Sequence, residues 1–214
     1  MHRPRCTTCL SLAAMAMTAS CGATQARAEE RGPIDAIWSV QSVDFTFGSR
    51  DVYYSCSSLQ AKISAIMKTI GAHERLAVDV GCIGGQFVNS AHVRLIVAMP
   101  TPATQENVAA ATTYDSRTQL VARLRQVQLP TADDIERFPA AWQTISLTRH
   151  SKLDLESGDC DLLQVMAEQV FPRLSLRSDG QELHCPGAGS RVRPRLEVTA
   201  LMPLRTSVAY NRLR

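Results

Sequence analysis

The 214 residues are enough for one sizeable core or two small domains, and 45% apolar with 5% aromatic residues is the make-up of an ordinary globular protein. Lys and Arg number 23 against 20 Asp and Glu, but Arg3, Arg5 and Arg27 stand in an acid-free leader, so the chain without it is formally neutral. A neutral chain lacks the net positive field from which nucleic-acid binding draws its affinity, and it favours no acidic substrate.

Residues 1–28 read as a secretory signal. Arg3 and Arg5 precede an apolar stretch from Cys9 to Ala19, and Ala26-Arg27-Ala28 offers a small-residue cleavage site before Glu29-Glu30. The stretch is shorter than the ~20 residues a membrane-spanning helix needs, so no transmembrane span is expected. Thr18-Ala19-Ser20-Cys21 offers the alternative of cleavage before Cys21 and a lipid anchor there, although Thr18 replaces the large apolar residue usual in that motif. Export, periplasmic or secreted, is the expected localisation, with an envelope lipoprotein as the alternative. Of seven cysteines, Cys56, Cys82, Cys160 and Cys185 lie beyond the leader, and an even number in an oxidising compartment signals disulfides. The Cys6-Thr7-Thr8-Cys9 spacing of a redox motif falls in the leader and is set aside.

The rest of the chain repeats itself. Cys56 and Cys82 are 26 positions apart and Cys160 and Cys185 are 25 apart, while Pro100 and Pro203 stand equally far beyond the second cysteine of each pair. Val93-Arg94-Leu95-Ile96-Val97-Ala98-Met99-Pro100 lies over Leu196-Glu197-Val198-Thr199-Ala200-Leu201-Met202-Pro203. In the first copy a strand, Val43 to Phe47, precedes a helix with Leu59, Ile63, Ile66, Met67 and Ile70 at helical spacing and Gly71 as its cap. A strand from Leu76 into Cys82, a turn at Gly84-Gly85 and the strand ending at Pro100 follow. The second copy has a strand from Trp142 to Leu147 and a helix with Leu163, Ala167, Val170, Phe171 and Leu174, which Pro172 ends early or kinks. Gln181 to Cys185, a turn at Pro186 to Gly189 and a last strand complete it. In that strand Val192, Leu196, Val198 and Ala200 alternate with Arg191, Arg193, Arg195, Glu197 and Thr199.

The expected fold is therefore α+β: two tandem β-α-β-β units forming a largely antiparallel sheet with helices on one face. A helix of ~15 residues and a returning strand of ~7 span similar lengths, so the strand ends beside the helix start, pairing Cys56 with Cys82 and Cys160 with Cys185. The expected organisation is a signal at 1–28, a first unit at 29–103, a helical linker at 104–139 and a second unit at 140–214. In the linker, Thr101 to Thr113 is rich in Ala, Thr and Pro. An amphipathic helix follows through Leu120, Val121, Leu124 and Val127, carrying Arg117, Arg123 and Arg125, and Thr131 caps a short turn that Pro139 ends before the next strand.

The stretch from Leu129 to Trp142, with Tyr54-Ser55-Cys56 and Gly81-Cys82, resembles a group of uncharacterised exported proteins of proteobacteria. The resemblance covers most of the chain beyond the leader; it implies export and carries no activity, so it adds nothing to mechanism.

No catalytic, cofactor or metal constellation emerges. His184 beside Cys185, with Cys160 and His150, has the ligand types zinc takes, but oxidised cysteines have no thiolates to give. Ser55, Ser57 and Ser58 mark a helix start and are expected to cap it. Gly81 to Gly85 precedes no helix and reads as a hairpin turn, and Asp133, Asp134 and Glu136 fit the first turn of a helix. A row of arginines, Arg191, Arg193 and Arg195, projects from one strand face and offers a contact for an anionic envelope polymer or a partner's carboxylates, against the plainer reading of a solvated face. The expectation is a non-enzymatic envelope protein with a structural or macromolecule-binding role, its contacts supplied by the outer sheet face or the intervening helix. The alternative is an exported hydrolase with its site between the two repeats. A thiol-redox role is disfavoured by the long cysteine spacing.

Overall fold

The computed structural model of the chain describes residues 32–82, 87–149, 153–176, 183–185 and 193–204. The expected signal segment with Cys21, both expected glycine turns, His150 and Arg191 lie outside the described residues. The elements run β1 (Ile34–Gly48), β2 (Tyr54–Ser55), α1 (Cys56–Thr69), β3 (Ala77–Gly81), β4 (Phe87–Val88), β5 (Ser90–Pro102), α2 (Gln105–Ala111), α3 (Ser116–Arg125), β6 (Phe138–Ser146), α4 (Cys160–Val165) and β7 (Glu197–Pro203). Both expected disulfides form, Cys56 with Cys82 and Cys160 with Cys185, at Cα separations of 6.3 and 5.7 Å. The fold is α+β, as the repeated pattern implies.

The two units share one antiparallel sheet in the order β3-β5-β1-β6-β7, with a separate two-stranded ribbon of β2 and β4. Register exposes the repeat more sharply than sequence does. Trp38 faces Pro100 and Ala140 faces Pro203; Val43 faces Leu95 and Ile145 faces Val198. Gly81, next to Cys82, faces His92, and His184, next to Cys185, faces Arg195. On this alignment Ala36 and Phe138 are equivalents, and they pair with each other where β1 meets β6. A pseudo-twofold axis therefore passes through that pair, in the middle of the sheet.

Alternation along the strands builds the core. Val43, Phe45 and Phe47 of β1 point inward with their partners Leu95, Val93 and Ala91 of β5, while Asp44 and Thr46 point out. Leu59, Ile63, Ile66 and Met67 of α1 and Leu162, Leu163, Met166, Val170 and Phe171 from the second copy join the same cluster. Burial of each such side chain stabilises by about 1.5–3 kcal/mol before conformational entropy is set against it.

Ser55 caps α1 by accepting the amide of Ser58 at 3.1 Å. At the other end Gly71 takes φ +94°, its amide bonding Lys68 and that of Ala72 bonding Met67, a Schellman ending that needs a left-handed residue. The second copy closes its helical path the same way, with Ser175 at φ 57° and the amide of Leu176 on Phe171. Between lies a difference. Pro172 has no amide to give Glu168, and the path passes it by rewinding, as a π turn over Met166–Val170 and a 3-10 turn over Phe171–Leu174, rather than by ending.

Boundaries shift elsewhere. The first strand extends back to Ile34 because its N-terminal part makes the central pairing. β6 begins at Phe138, so Pro139 lies inside it, near a strand end where a missing amide is tolerated, and its carbonyl accepts from Leu204. The Thr101 to Thr113 stretch divides into the end of β5 and α2, which Thr104 caps. Thr131 and Asp134 cap each other around a turn confined to Ala132–Asp134. The last strand starts at Glu197, so Arg193 and Arg195 precede it.

Candidate functional site

Where the two copies meet below the sheet, a buried acid of the second copy is held by the first. Asp159 precedes α4 at the position Ser55 holds before α1, and only 1% of it is exposed. Its side chain does not cap its own helix. One carboxylate oxygen accepts from Lys62 Nζ of α1 at 2.6 Å and from the Glu156 amide at 2.7 Å, and the other accepts from the Tyr54 hydroxyl at 2.5 Å. Lys62 also donates to the Asp154 carbonyl at 3.0 Å, and nearby Ser49 donates to Asp161 at 2.5 Å. Helix α1 presents Lys62 beside the buried Ile63, which sets its charged end at the rim of the core.

Burial, then the Asp159 carboxylate, pushes the Tyr54 hydroxyl far above the usual phenol range, so it remains a donor at any physiological pH. Its ring meets Phe47 edge-on at 5.4 Å. Above this cluster opens a recess of about 250 Å³ lined in part by Val52, Ser58, Lys62 and Glu156, with Tyr53 and Phe87 at its lining 62% and 67% exposed. The chemistry on offer is limited. The carboxylate is already taken up by three donors, the phenol cannot act as a base, and Ser55 Oγ is occupied by the Ser58 amide and lies 3.2 Å from Ser57 Oγ. The arrangement holds two halves together.

The outer sheet face carries a second group. Asp44 and Arg94 face each other across β1 and β5 with the guanidinium 2.9 Å from the carboxylate, and His92 Nε2 lies 3.6 Å from the same oxygen. The Arg94 hydrogen bond holds the Asp44 carboxyl below its usual range. Val40 and Ile96 are exposed on the same face. Closer to the pseudo-axis Ala36, Ala140 and Leu201 are buried beneath Ile34, Phe138 and Trp142, and Trp38 packs against Phe138 and His73.

A third surface is α3. Asp115 caps it through the Thr118 amide, Gln126 ends it in a left-handed conformation, and Tyr114 reaches across to the Pro130 carbonyl at 3.0 Å. Ala122 is the one buried residue of the helix, whereas Leu120, Val121, Leu124 and the following Val127 are 57%, 38%, 76% and 60% exposed.

Of the residues singled out by sequence, Arg193 and Arg195 are exposed; Arg195 exchanges backbone hydrogen bonds with His184, and Arg193 comes within 3.9 Å of Asp154. His73, His92 and His184 are far apart in role: His73 meets Trp38 edge-on, His92 stands by Asp44 and His184 sits in the bridge. Among the described residues no group of His, Cys, Asp or Glu is placed to hold a metal ion, and no helix is long and apolar enough to cross a membrane. Sequence reasoning missed Asp159, Tyr54 and Lys62; the equivalence of Asp159 with the capping Ser55 was the available signal. Compared with known proteins, the chain matches no family model, no curated protein and no solved structure.

Proposed function

We propose that this chain is an exported cell-envelope protein, akin to the exported group its sequence resembles, that binds another macromolecule and carries out no catalysis. The observation that carries this reading is the saturated carboxylate of Asp159. Where the copies meet, the one deeply buried acid among the described residues is consumed by Lys62, Tyr54 and a backbone amide, leaving no poised base beside a free nucleophile among those residues. Two disulfides support export, since such bonds persist in oxidising compartments. The exposed surfaces supply contact: the outer sheet face around Val40 and Ile96, the aromatic rim of Tyr53 and Phe87, and α3. A body stiffened by one bond per copy presents them with little motion, which lowers the entropy cost of binding.

Position-specific photo-crosslinking tests the proposal. A photoreactive residue placed at Val40, Phe87 or Leu124 of the exported protein is expected to give a discrete adduct in the native envelope from at least one surface. Hydrolytic activity that disappears in Lys62→Met while the protein stays folded would overturn it in favour of an exported hydrolase.

A further inference from the structure

Resting on that binding role, we propose that α3 is a membrane-surface contact: its exposed face lies on an anionic phospholipid headgroup layer, with Leu120, Val121 and Leu124 dipping toward the acyl chains and Arg117, Arg123 and Arg125 on the phosphates. From Ser116 to Pro130 the chain holds three arginines and no acid. The nearest carboxylate, Asp115, is engaged by the Thr118 amide and held below its usual range by it. All three arginines are exposed.

Helical geometry places the groups. At ~100° per residue Leu120 and Leu124 fall on one stripe with Val121 at its edge, Arg117 lies between Leu124 and Val121, and Arg123 and Arg125 flank the stripe. Ala122, on the opposite side, is the residue turned inward. Three apolar side chains are thus held outward on a capped helix whose own body does not use them, a costly exposure unless something covers it.

The arginines decide what that cover is. Two copies of this chain meeting by this face would bring the arginine sets together with no acid between them, which is repulsive. An apolar protein groove would have to enclose Arg117 in the middle of the leucine stripe and strip its guanidinium of water. At a headgroup layer the same residue lays its stem along the apolar side chains and leaves its charge at phosphate level. A single short face of this kind gives a weak, salt-sensitive and reversible contact.

The test uses residues 31–214, which contain the whole described core and both disulfides and form one compact unit. Flotation with vesicles of equal parts phosphatidylglycerol and phosphatidylcholine is expected to carry the protein at low salt and to fail with phosphatidylcholine alone. Each of R117Q, R123Q and R125Q is expected to lower partitioning about fivefold, and Leu120→Gln with Leu124→Gln about tenfold or more, with the circular dichroism of the fold unchanged. No flotation with the anionic vesicles, equal flotation with neutral ones, or variants that float as well as the parent would overturn the lipid assignment. If flotation fails while Leu124 crosslinks to a protein, α3 docks on a protein and the binding role stands; if flotation fails and no surface crosslinks, both fall.

Discussion

Lys62 Nζ lies 2.6 Å from the Asp159 carboxylate, joining the helix of the first copy to the start of the helix of the second. The acid is nearly inaccessible while the amine keeps partial contact with water. Removing the amine strands a buried charge, whereas removing both partners leaves none. Lys62→Met is therefore expected to cost about 3 kcal/mol or more in urea unfolding, and Lys62→Met with Asp159→Leu to recover a substantial part of that loss. Recovery absent from the double variant would show that Tyr54 and the Glu156 amide, rather than the ion pair, dominate the joint.

Gly71 stands at φ +94°, and a Cβ there would approach the Met202 sulfur at 2.6 Å. The sulfur ends a flexible side chain and can move; the backbone conformation cannot. Gly71→Ala is expected to destabilise by about 1–2 kcal/mol, and Gly71→Asn, which tolerates the left-handed region better, by less. Thermal melts of the two variants against the parent measure the order.

Each disulfide closes a loop of similar length, so the two make similar contributions. Titration with a thiol reagent in denaturant without reductant is expected to find no free thiol among Cys56, Cys82, Cys160 and Cys185. Replacing either pair by serine is expected to lower stability by roughly 3–4 kcal/mol in the chain-entropy account. Peptide mapping that joined Cys56 or Cys82 to Cys160 or Cys185 would contradict the fold itself.

Asp44 has its carboxyl held below the ordinary value of 3.8, first by the hydrogen bond from Arg94. Because the folded state binds this proton less readily than the unfolded chain, the contribution is complete above the ordinary value and is lost as pH falls through the lower folded one. Urea midpoints measured down the acid limb are expected to fall less steeply in Asp44→Asn than in the parent. Asp134, lowered by the Thr131 amide, acts in the same direction.

Most of the architecture could be read from residue order because the repeat supplies two independent views of one pattern. The apolar positions of α1 and their equivalents after Cys160 face one core, and alternation in β5 shows which residues point inward. What could not be read depends on distance in the chain. Pairing of Ala36 with Phe138 joins equivalent strands of the two copies that lie far apart in the chain, and nothing local to either strand names the other as its neighbour, so the continuity of the sheet was invisible. The bond between Tyr54 and Asp159 spans 105 positions, and nothing near either residue announces the other. Pro172 carried a clear signal with two outcomes, and burial of Phe171 and Leu174 selected the continued path.

The axis through Ala36 and Phe138 has a further consequence. A strand that meets its own counterpart about a dyad is the joint an isologous pair of subunits would make, and here covalent continuity fixes the two partners at equal number whatever the protein concentration. A true pair would receive every substitution twice, whereas here each half can change alone. Ser175 opposite Gly71, and Asp159 opposite Ser55, are such one-sided differences, and the second of them supplies the acid that joins the halves.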